Sequence, residues 1–463
     1  MKTPQHNNDS YHPSRIEKKF TQMISPVERF AENQIASSIL LLICTALALI
    51  LATNDYTAPI YSRIINAHIG FTLGEHFFNA TLQYWVNDIL LALFFFIIGL
   101  EIKRDFLVGE LRSFSKTSVV IVAAIGGMLV PALIFYLINH NTPYNGAWGI
   151  PIATDTAFVL GILALFRHRL PKTLIAFVVA ISIFDDLGAI GIIAVFYTPH
   201  FSLYYFVLAM LTFVLLLGTN WVGVRRPWPY IILGILLWSA TELSGVHGTL
   251  AGILVALTIP ARPESGSRLI LRQVKHLVSE FEHIQNNQHG FILEDDEQYM
   301  ALKKMRELTT HGTTPLQRWG SALEKPVGLF ILPLFALTNA GINIQFSLLN
   351  KAWQHPIALG IFFGLIVGKL VGISLPCLLA KYLGLGQLPD GINSRHIIGI
   401  GLLSGIGFTM SIFISDLSFV NSPTELAIAK LSILGASLAA GVLAFFWFKW
   451  ITQDTNGLKK PIV

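Results

Sequence analysis

Apolar runs long enough to cross a lipid bilayer recur along almost the whole chain. A membrane-spanning helix needs about 20 mostly apolar residues. Twelve such segments lie near 36–53, 84–107, 117–139, 148–166, 172–197, 203–218, 228–242, 246–261, 325–343, 356–380, 395–417 and 424–450. The pattern therefore predicts an all-α polytopic membrane protein with about twelve transmembrane helices.

The composition agrees with a membrane protein. Hydrophobic residues make up 53% of the chain and charged residues only 13%, whereas a soluble domain carries about twice that charged fraction. The formal net charge of +5 fits basic loops that stay cytoplasmic, so nucleic acid is not expected as a partner. Cys44 and Cys377 each lie in an apolar run without a spacing pattern, which indicates neither a disulfide framework nor a metal site.

Positive charge is concentrated at the two termini and in every second connection between apolar segments. Arg63 and Lys351 are the main basic residues elsewhere. Because cytoplasmic loops carry an excess of Lys and Arg, both termini are expected in the cytoplasm. The chain then divides into a cytoplasmic N-terminal tail at 1–35, helices 1–8 at 36–261, a cytoplasmic loop at 262–324, helices 9–12 at 325–450 and a cytoplasmic C-terminal tail at 451–463.

Two connections are long enough to hold structure of their own. Residues 54–83 carry alternating segments with turn residues between them, which fits either a short outer β-hairpin or an irregular loop. The loop at 262–324 is expected to contain an amphipathic helix that lies on the membrane or on the helix bundle. Its apolar positions, at helical spacing, are Ile270, Val274, Leu277, Val278, Phe281 and Ile284.

Two adjacent carboxylates, Asp185 and Asp186, lie inside the fifth apolar segment. A carboxylate at the centre of a bilayer costs on the order of 2.5–3.5 kcal/mol, so a chain retains one where it is paired or functional. Neighbours on a helix point about 100° apart, so both can border one cavity. Like charges resist simultaneous ionisation, and oxygen ligands suit hard cations. The pair indicates a site that exchanges protons for a metal cation; a structural pair bonded to a neighbouring helix is the alternative.

Two segments are interrupted by helix-breaking or small polar residues. In the fourth segment, Pro151, Thr154 and Asp155 fall inside an apolar run, and a helix broken within the membrane is expected only where it lines a cavity. Asp155 would then neutralise exposed helix N-termini; an ordinary proline kink with a bonded aspartate is the alternative. The eleventh segment is rich in glycine and also contains Ser404 and Thr409. Two interrupted helices in corresponding parts of two halves indicate a transporter site.

Three further charged residues lie inside apolar segments. Lys369 is about halfway along the tenth segment, where it needs an anion or exposed helix carbonyls; a lysine that reaches the membrane interface is the alternative. Asp88 and Glu101 lie on the second segment, roughly 20 Å apart along the helix axis. They are expected near opposite mouths of a pathway, or in interfacial charge clusters.

Six stretches of the chain carry a recognisable combination of residues. They are Phe94–Arg104 (FFFIIGLEIKR), Trp148–Phe158 (WGIPIATDTAF), Ser182–Ala189 (SIFDDLGA), Ser244–Gly252 (SGVHGTLAG), Leu332–Gly341 (LPLFALTNAG) and Ser404–Phe413 (SGIGFTMSIF). Together they resemble the NhaA family of bacterial sodium/proton antiporters. The resemblance covers all twelve apolar segments and excludes the N-terminal tail and most of the cytoplasmic loop.

The resemblance implies a fold in which an inverted repeat relates helices 3–5 to helices 10–12, with helices 4 and 11 unwound where they cross. It implies a transporter of the bacterial inner membrane rather than an enzyme, which exports Na⁺ or Li⁺ as protons enter and is strengthened at alkaline pH. The transported ions Na⁺, Li⁺ and H⁺ are its expected partners, and no separate cofactor is expected. The outer hairpin implies a homodimer.

The resemblance also assigns roles to the residues of the central site. Asp185 and Asp186 match the carriers of Na⁺ and protons. Asp155 and Lys369 match residues that balance the dipoles of the half-helices, with Lys369 paired to Asp185. Thr154 matches a position beside the ion site.

Residues further from the centre match the pathway and pH-responsive positions of the family. Asp88 and Glu101 match acidic positions of helix 2, and His247 matches a position tied to the pH response. Gly320 is a departure, because many members have a pH-responsive glutamate there. The resemblance therefore implies an intact ion site and leaves the pH-activation profile of this chain open.

Three other kinds of protein are alternatives to an antiporter. A sodium-coupled symporter for an organic solute would need an additional polar pocket among the apolar segments. An intramembrane aspartyl protease needs its two aspartates on different helices, whereas Asp185 and Asp186 are neighbours on one. A non-transporting sensor would leave Lys369 and the two interrupted helices without a role.

Overall fold

The computed structural model is almost entirely helical in the part of the chain that it describes. That part comprises residues 34–73, 76–108, 114–198, 201–263, 271–279 and 296–457. The predicted N-terminal tail therefore lies outside the described residues, apart from its last two positions. The predicted amphipathic helix of the 262–324 loop is described only over 271–279, where it is helical.

The described elements follow one another as follows. The first half contains α1 (Gln34–Thr53), α2 (Ala58–Ile65), β1 (His68–Leu73), β2 (His76–Thr81), α3 (Leu82–Val108), α4 (Phe114–Asn139), α5 (Thr156–Leu165), α6 (Lys172–Phe196), α7 (Leu203–Trp221), α8 (Pro227–Leu243) and α9 (Thr249–Thr258). The second half contains α10 (271–279), α11 (Asp296–Gly312), α12 (Pro315–Asn339), α13 (Phe346–Ala352), α14 (Pro356–Tyr382), α15 (Ser394–Leu403), α16 (Phe408–Ser418) and α17 (Pro423–Gly457).

The structure confirms a helical membrane protein with many spans, although not the count of twelve. Among the described residues, nine stretches are long and apolar enough to cross a membrane when residues 145–165, interrupted before α5, are counted as one, and there are ten if α15 and α16, which meet at 44°, form one span. The predicted segments 228–242 and 246–261 are helical but short, because α8 has 17 residues and α9 has 10. The number of spans beyond ten stays a prediction.

The connection between α2 and α3 forms the β-hairpin that the alternation of residues 54–83 allowed. Strands β1 and β2 pair antiparallel, with His68 opposite Thr81 and Leu73 opposite His76. The Trp85 Nε1 atom donates to the Ile69 carbonyl at 3.1 Å, which ties the hairpin to the start of α3. The irregular-loop alternative is therefore excluded for the two strands, whereas residues 58–65 form the helix α2, which the alternation did not predict.

Helix α12 begins at Pro315, inside the stretch predicted as cytoplasmic loop. Thr314 caps it: its hydroxyl accepts from the Gln317 backbone N–H at 3.2 Å, and the Gln317 side chain accepts from the Thr314 N–H at 3.3 Å. This reciprocal capping box, with proline at the first helical position, is a strong helix start. The apolar run alone points to a start near 325 because the first turns are polar and hold Arg318 and Lys325.

Helices α4 and α14 approach each other through glycines, which sets the position of the central site. Gly372 on α14 lies against the carbonyl of Gly126 on α4, with no room for a Cβ atom at either residue. Gly368 lies in the same way against Pro131. Such small residues let membrane helices pack backbone to backbone. Lys369, the neighbour of Gly368, is thereby carried into the interior of the bundle.

We expect Gly372→Ala to destabilise the bundle, because the added methyl group would overlap the Gly126 carbonyl oxygen. Overpacking of this kind costs about 1–3 kcal/mol. The matched control is Gly435→Ala on α17, where an added Cβ atom meets nothing within 4 Å. The thermal unfolding midpoint in detergent should fall for Gly372→Ala and not for the control. Equal midpoints would contradict the close packing of α4 on α14.

Candidate functional site

The two adjacent aspartates of α6 are buried in the interior of the helix bundle. Asp185 is 0% exposed and Asp186 is 3% exposed. The Oδ1 atom of each is buried and has no hydrogen-bond partner in the protein. Buried polar atoms are nearly always paired, so an unpaired one needs an explanation such as an ion or a catalytic role. The two free oxygens are the feature that the rest of the site surrounds.

Lys369 of α14 and Asp185 form a buried ion pair. The Lys369 Nζ atom donates to Asp185 Oδ2 at 2.5 Å, and both side chains are 0% exposed. Asp185 Oδ2 also accepts from the Thr154 hydroxyl at 2.8 Å. The structure thus brings together three of the residues that the sequence singled out. A charge at this depth is tolerated because an opposite charge and a hydrogen bond compensate for lost water.

The chain between residues 145 and 165 is interrupted next to this pair. Short 3₁₀ turns at Asn145–Ala147 and Ile150–Ile152 give way to extended backbone at Ala153, and α5 begins only at Thr156. Asp155 is the N-cap of α5, where its Oδ1 atom accepts from the Phe158 N–H at 3.2 Å. The aspartate therefore satisfies one of the four N–H groups that a helix start leaves free.

The break between α15 and α16 lies against the break before α5. The Asp155 N–H donates to the Ile406 carbonyl at 2.6 Å, and the Thr154 hydroxyl donates to the Ser404 carbonyl at 3.1 Å. The Ser411 hydroxyl returns from α16 to the Ile150 carbonyl at 2.8 Å. The two interruptions that the sequence indicated are thus bonded to each other, and each supplies partners for the other's free backbone groups.

Asp155 serves the N-termini of two helices at once. Besides capping α5, its Oδ2 atom accepts from the Thr409 N–H at 3.0 Å and from the Thr409 hydroxyl at 2.6 Å. Each helix N-terminus carries about half a positive charge. One carboxylate between two such ends places negative charge where both helices need it. The sequence pointed to this role for Asp155 but gave no sign that Thr409 would be its partner.

Several hydroxyl groups complete an oxygen-rich surrounding; Ser404 belongs to the interrupted eleventh segment, whereas Ser182 was not singled out from the sequence. The Thr156 hydroxyl lies 3.5 Å from Asp186 Oδ2. The hydroxyls of Ser182 and Ser404 are buried without a protein partner. Ser182 lies four residues before Asp186, so the spacing alone places it on the same helix face. In the described part of the chain, no group of three or more His, Cys, Asp or Glu side chains could hold a metal ion.

Asp88, Glu101 and His247 belong to other elements than the aspartate pair, namely α3 and the turn between α8 and α9. Asp88 is in a π-helical turn of α3, and its carbonyl accepts from Trp238 Nε1 at 3.1 Å. Glu101 lies further along α3. The ring of His247, in the turn between α8 and α9, lies 6.4 Å from the ring of Phe413. Within the described ranges, no hydrogen bond or ion pair joins these three to the aspartates.

The structure also contains a second buried ion pair that the sequence analysis missed. Lys430 Nζ lies 2.7 Å from Asp416 Oδ1, joining α17 to α16. The sequence did contain a signal for this pair, because Asp416 lies inside the apolar run 395–417 and Lys430 inside the run 424–450. Glu242 was missed in the same way; its Oε2 atom accepts from the Gly248 N–H at 2.9 Å beside His247.

Comparison with known proteins gives the family of this chain. The family model described as "Na+/H+ antiporter 1" matches residues 28–448. The chain belongs to this antiporter family. It is 43% identical to "Na(+)/H(+) antiporter NhaA 1" of Shewanella denitrificans over 427 residues, which cover 92% of this chain and 94% of the relative. The NhaA resemblance of the six stretches is therefore confirmed.

More distant relatives of the same family cover the chain equally well. The "Na(+)/H(+) antiporter NhaA 1" of Saccharophagus degradans is 42% identical over 433 residues, 94% of this chain and 93% of the relative. The "Na(+)/H(+) antiporter NhaA" of Sulfurimonas denitrificans is 38% identical over 442 residues, 95% of this chain and 98% of the relative. An antiporter family implies a transporter that acts on Na⁺ and H⁺ in a membrane.

We expect Thr409→Val to destabilise the crossing of the two broken helices. The change removes the hydroxyl that donates to Asp155 Oδ2 at 2.6 Å and leaves the side-chain shape nearly unchanged, at a cost of about 1–3 kcal/mol. Thr409→Ser, which keeps the hydroxyl, should lie much closer to the wild type. The control is Ser432→Ala, whose hydroxyl bonds only to a carbonyl of its own helix. The measurement is the thermal unfolding midpoint in detergent. If the midpoint of Thr409→Val equals that of Ser432→Ala, the bridging role of the Thr409 hydroxyl is contradicted.

Proposed function

We propose that this antiporter exports Na⁺ in electrogenic exchange for entering protons, at the site formed by Asp185 and Asp186. The observation that carries the proposal is the pair of buried, unpaired Oδ1 atoms on adjacent aspartates. Protons and hard cations are the two kinds of ligand that carboxylate oxygens take. Ser182, Thr154 and Thr156 supply further oxygens at the same place. Li⁺, which has the same charge as Na⁺, is proposed as an alternative substrate.

Exchange would follow from competition for the same oxygens. When the site faces the outside, Asp185 and Asp186 take up protons; when it faces the cytoplasm, they release them and bind Na⁺. In each form, bound protons or a bound cation offset the charge of the two carboxylates, which a dry interior favours. Lys369, held at 2.5 Å from Asp185, compensates the carboxylate during the steps in which neither ligand is bound. Asp155 holds the two half-helices together during the same steps.

The stoichiometry of this scheme makes transport electrogenic. If both protons exchange for one Na⁺, each cycle moves one net charge inward, and the membrane potential contributes about 2.3 kcal/mol per 100 mV. Proton-driven Na⁺ export of this kind would serve pH and sodium homeostasis in a bacterial inner membrane. Alternating access would come from one group of helices rocking around the crossing of the breaks.

The proposed architecture is twelve spans with both termini cytoplasmic and an inverted repeat. Its support is a matching succession of elements: α4, the broken span to α5, and α6 are followed later by α14, the broken span α15–α16, and α17. The first helix of each set contains an internal proline, Pro131 in α4 and Pro376 in α14. The hairpin of β1 and β2 is proposed as the contact between two protomers of a homodimer.

Replacing Asp186 by Asn should abolish Na⁺/H⁺ exchange, because the amide neither binds a proton at this site nor offers a charged oxygen to Na⁺. The measurement is Na⁺-induced dequenching of a pH-sensitive dye in everted vesicles. Asp390→Asn is the matched control, since this aspartate is exposed in the α14–α15 connection and should leave the signal unchanged. Sodium-dependent proton flux in the Asp186→Asn vesicles would contradict the assignment.

The dequenching signal should also depend on pH and on the cation. We expect a signal with Na⁺ and Li⁺ that rises between pH 6 and pH 9, because proton competition for the carboxylates weakens as protons become scarce. Replacing His247 by Ala should make this rise less steep without abolishing it, because the histidine is proposed to add its own pH response to the competition at the two aspartates. A signal that is independent of pH in the wild type would contradict competition at the two aspartates.

A further inference from the structure

The second buried ion pair has the same chemical arrangement as the central one. In each, one carboxylate oxygen contacts a lysine ammonium: Asp185 with Lys369 at 2.5 Å, and Asp416 with Lys430 at 2.7 Å. In each, the other carboxylate oxygen is buried without a partner in the protein. Ionisable residues within membrane helices are costly and are typical of ion or proton pathways. The second pair therefore calls for a role beyond joining two helices.

The second pair has limited access to the surface of the bundle. The side chain of Asp416 is 14% exposed and that of Lys430 is 7% exposed, whereas the central pair is fully enclosed. Asp416 lies two residues before the end of α16, next to the turn that leads into α17. Glu425, near the same turn, accepts a hydrogen bond from the Tyr144 hydroxyl at 3.4 Å. Among the described residues, Lys430 is the charged side chain that acts on Asp416.

The α16–α17 seam, defined here by Lys430, Ser437, Ala440 and Gly405, places a buried hydroxyl between this pair and the break between α15 and α16. Seven residues are two turns of a helix, about 10 Å along its axis, so Ser437 lies on the same face of α17 as Lys430. The hydroxyl of Ser437 is buried and has no partner in the protein. Three residues further, Ala440 packs against Gly405, where an added Cβ atom would lie 3.1 Å from the Ala440 Cβ atom. The seam thus ends at the break itself.

The break connects the seam to the aspartate pair. Ser404, the neighbour of Gly405, has a buried hydroxyl without a partner, and its carbonyl accepts from the Thr154 hydroxyl at 3.1 Å. The same Thr154 hydroxyl donates to Asp185 Oδ2 at 2.8 Å. Unpaired hydroxyls therefore lie between two carboxylate–lysine pairs, one enclosed and one near the surface.

We propose that Asp416 is a proton-relay residue of the antiporter, with Lys430 as its counter-ion, and that it passes protons along the α16–α17 seam to the Asp185–Asp186 site. A proton from water at the end of α16 forms an O–H bond on the Asp416 carboxylate. That bond breaks when the proton moves on to water between the buried hydroxyls of the seam, which regenerates the carboxylate. The Lys430 ammonium keeps its proton throughout. The proposal rests on the proposed Na⁺/H⁺ exchange.

The test separates proton movement from sodium movement in reconstituted liposomes. Exchange of radiolabelled Na⁺ for Na⁺ at equal pH needs the aspartate site and alternating access but no net proton movement. In Asp416→Asn, we expect Na⁺-driven proton movement to fall by about tenfold or more, since a positioned proton-transfer group contributes at least this much. Exchange of Na⁺ for Na⁺ should stay within about twofold of the wild type, and Asp416→Glu should restore part of the proton movement.

Glu425→Gln is the matched control, because it removes a carboxylate near the same turn that is not part of the seam. Equal loss of both exchange modes in Asp416→Asn would contradict the relay and make the pair a structural clamp. Unchanged proton movement would also contradict it. If Asp416→Asn does not fold, Asp416→Leu combined with Lys430→Leu removes both charges, a change that buried pairs often tolerate, and the same selective loss is expected. A wild type without sodium-coupled proton movement would instead contradict the proposed function.

Discussion

The ion pair between Lys369 and Asp185 is the interaction on which the rest of the site depends. Each charge alone would cost several kcal/mol in a dry interior. The 2.5 Å contact between them depends on the close packing of α14 on α4, which in turn packs on α6. Glycines at the α4–α14 contact allow that approach. The position of Lys369 therefore depends on the helix packing, and the charge on Asp185 depends on the position of Lys369.

The same reasoning explains why two helices are broken in the same place. A break frees backbone groups that lipid cannot satisfy, and here each break bonds to the other through Asp155, Ile406 and Thr154. Asp155 adds the negative charge that two facing helix starts require. The crossing can therefore hold polar groups beside the aspartates without exposing them to lipid. A site of this kind needs both breaks, because neither is satisfied alone.

The sequence predicts the parts of this structure that depend on local composition. Long apolar runs predict the spans, and Pro151 and the glycines of 395–417 predict the two breaks. Alternation between residues 54 and 83 allows the hairpin without deciding between it and an irregular loop. It does not predict features that depend on contacts distant in sequence. Examples are the Thr409–Asp155 bond across 254 residues and the depth of the Asp416–Lys430 pair. The start of α12 was predicted too late, because a capping box outweighs polarity in its first turns.

The central claim is that Na⁺ and protons compete for the oxygens of Asp185 and Asp186. The most direct measurement is the equilibrium binding of Na⁺ to the purified protein in detergent over a range of pH, with proton release followed in weakly buffered solution. We predict that the apparent affinity for Na⁺ falls as the pH is lowered, and that adding Na⁺ releases protons into the solution. Sodium binding of constant affinity across that range, without proton release, would contradict it.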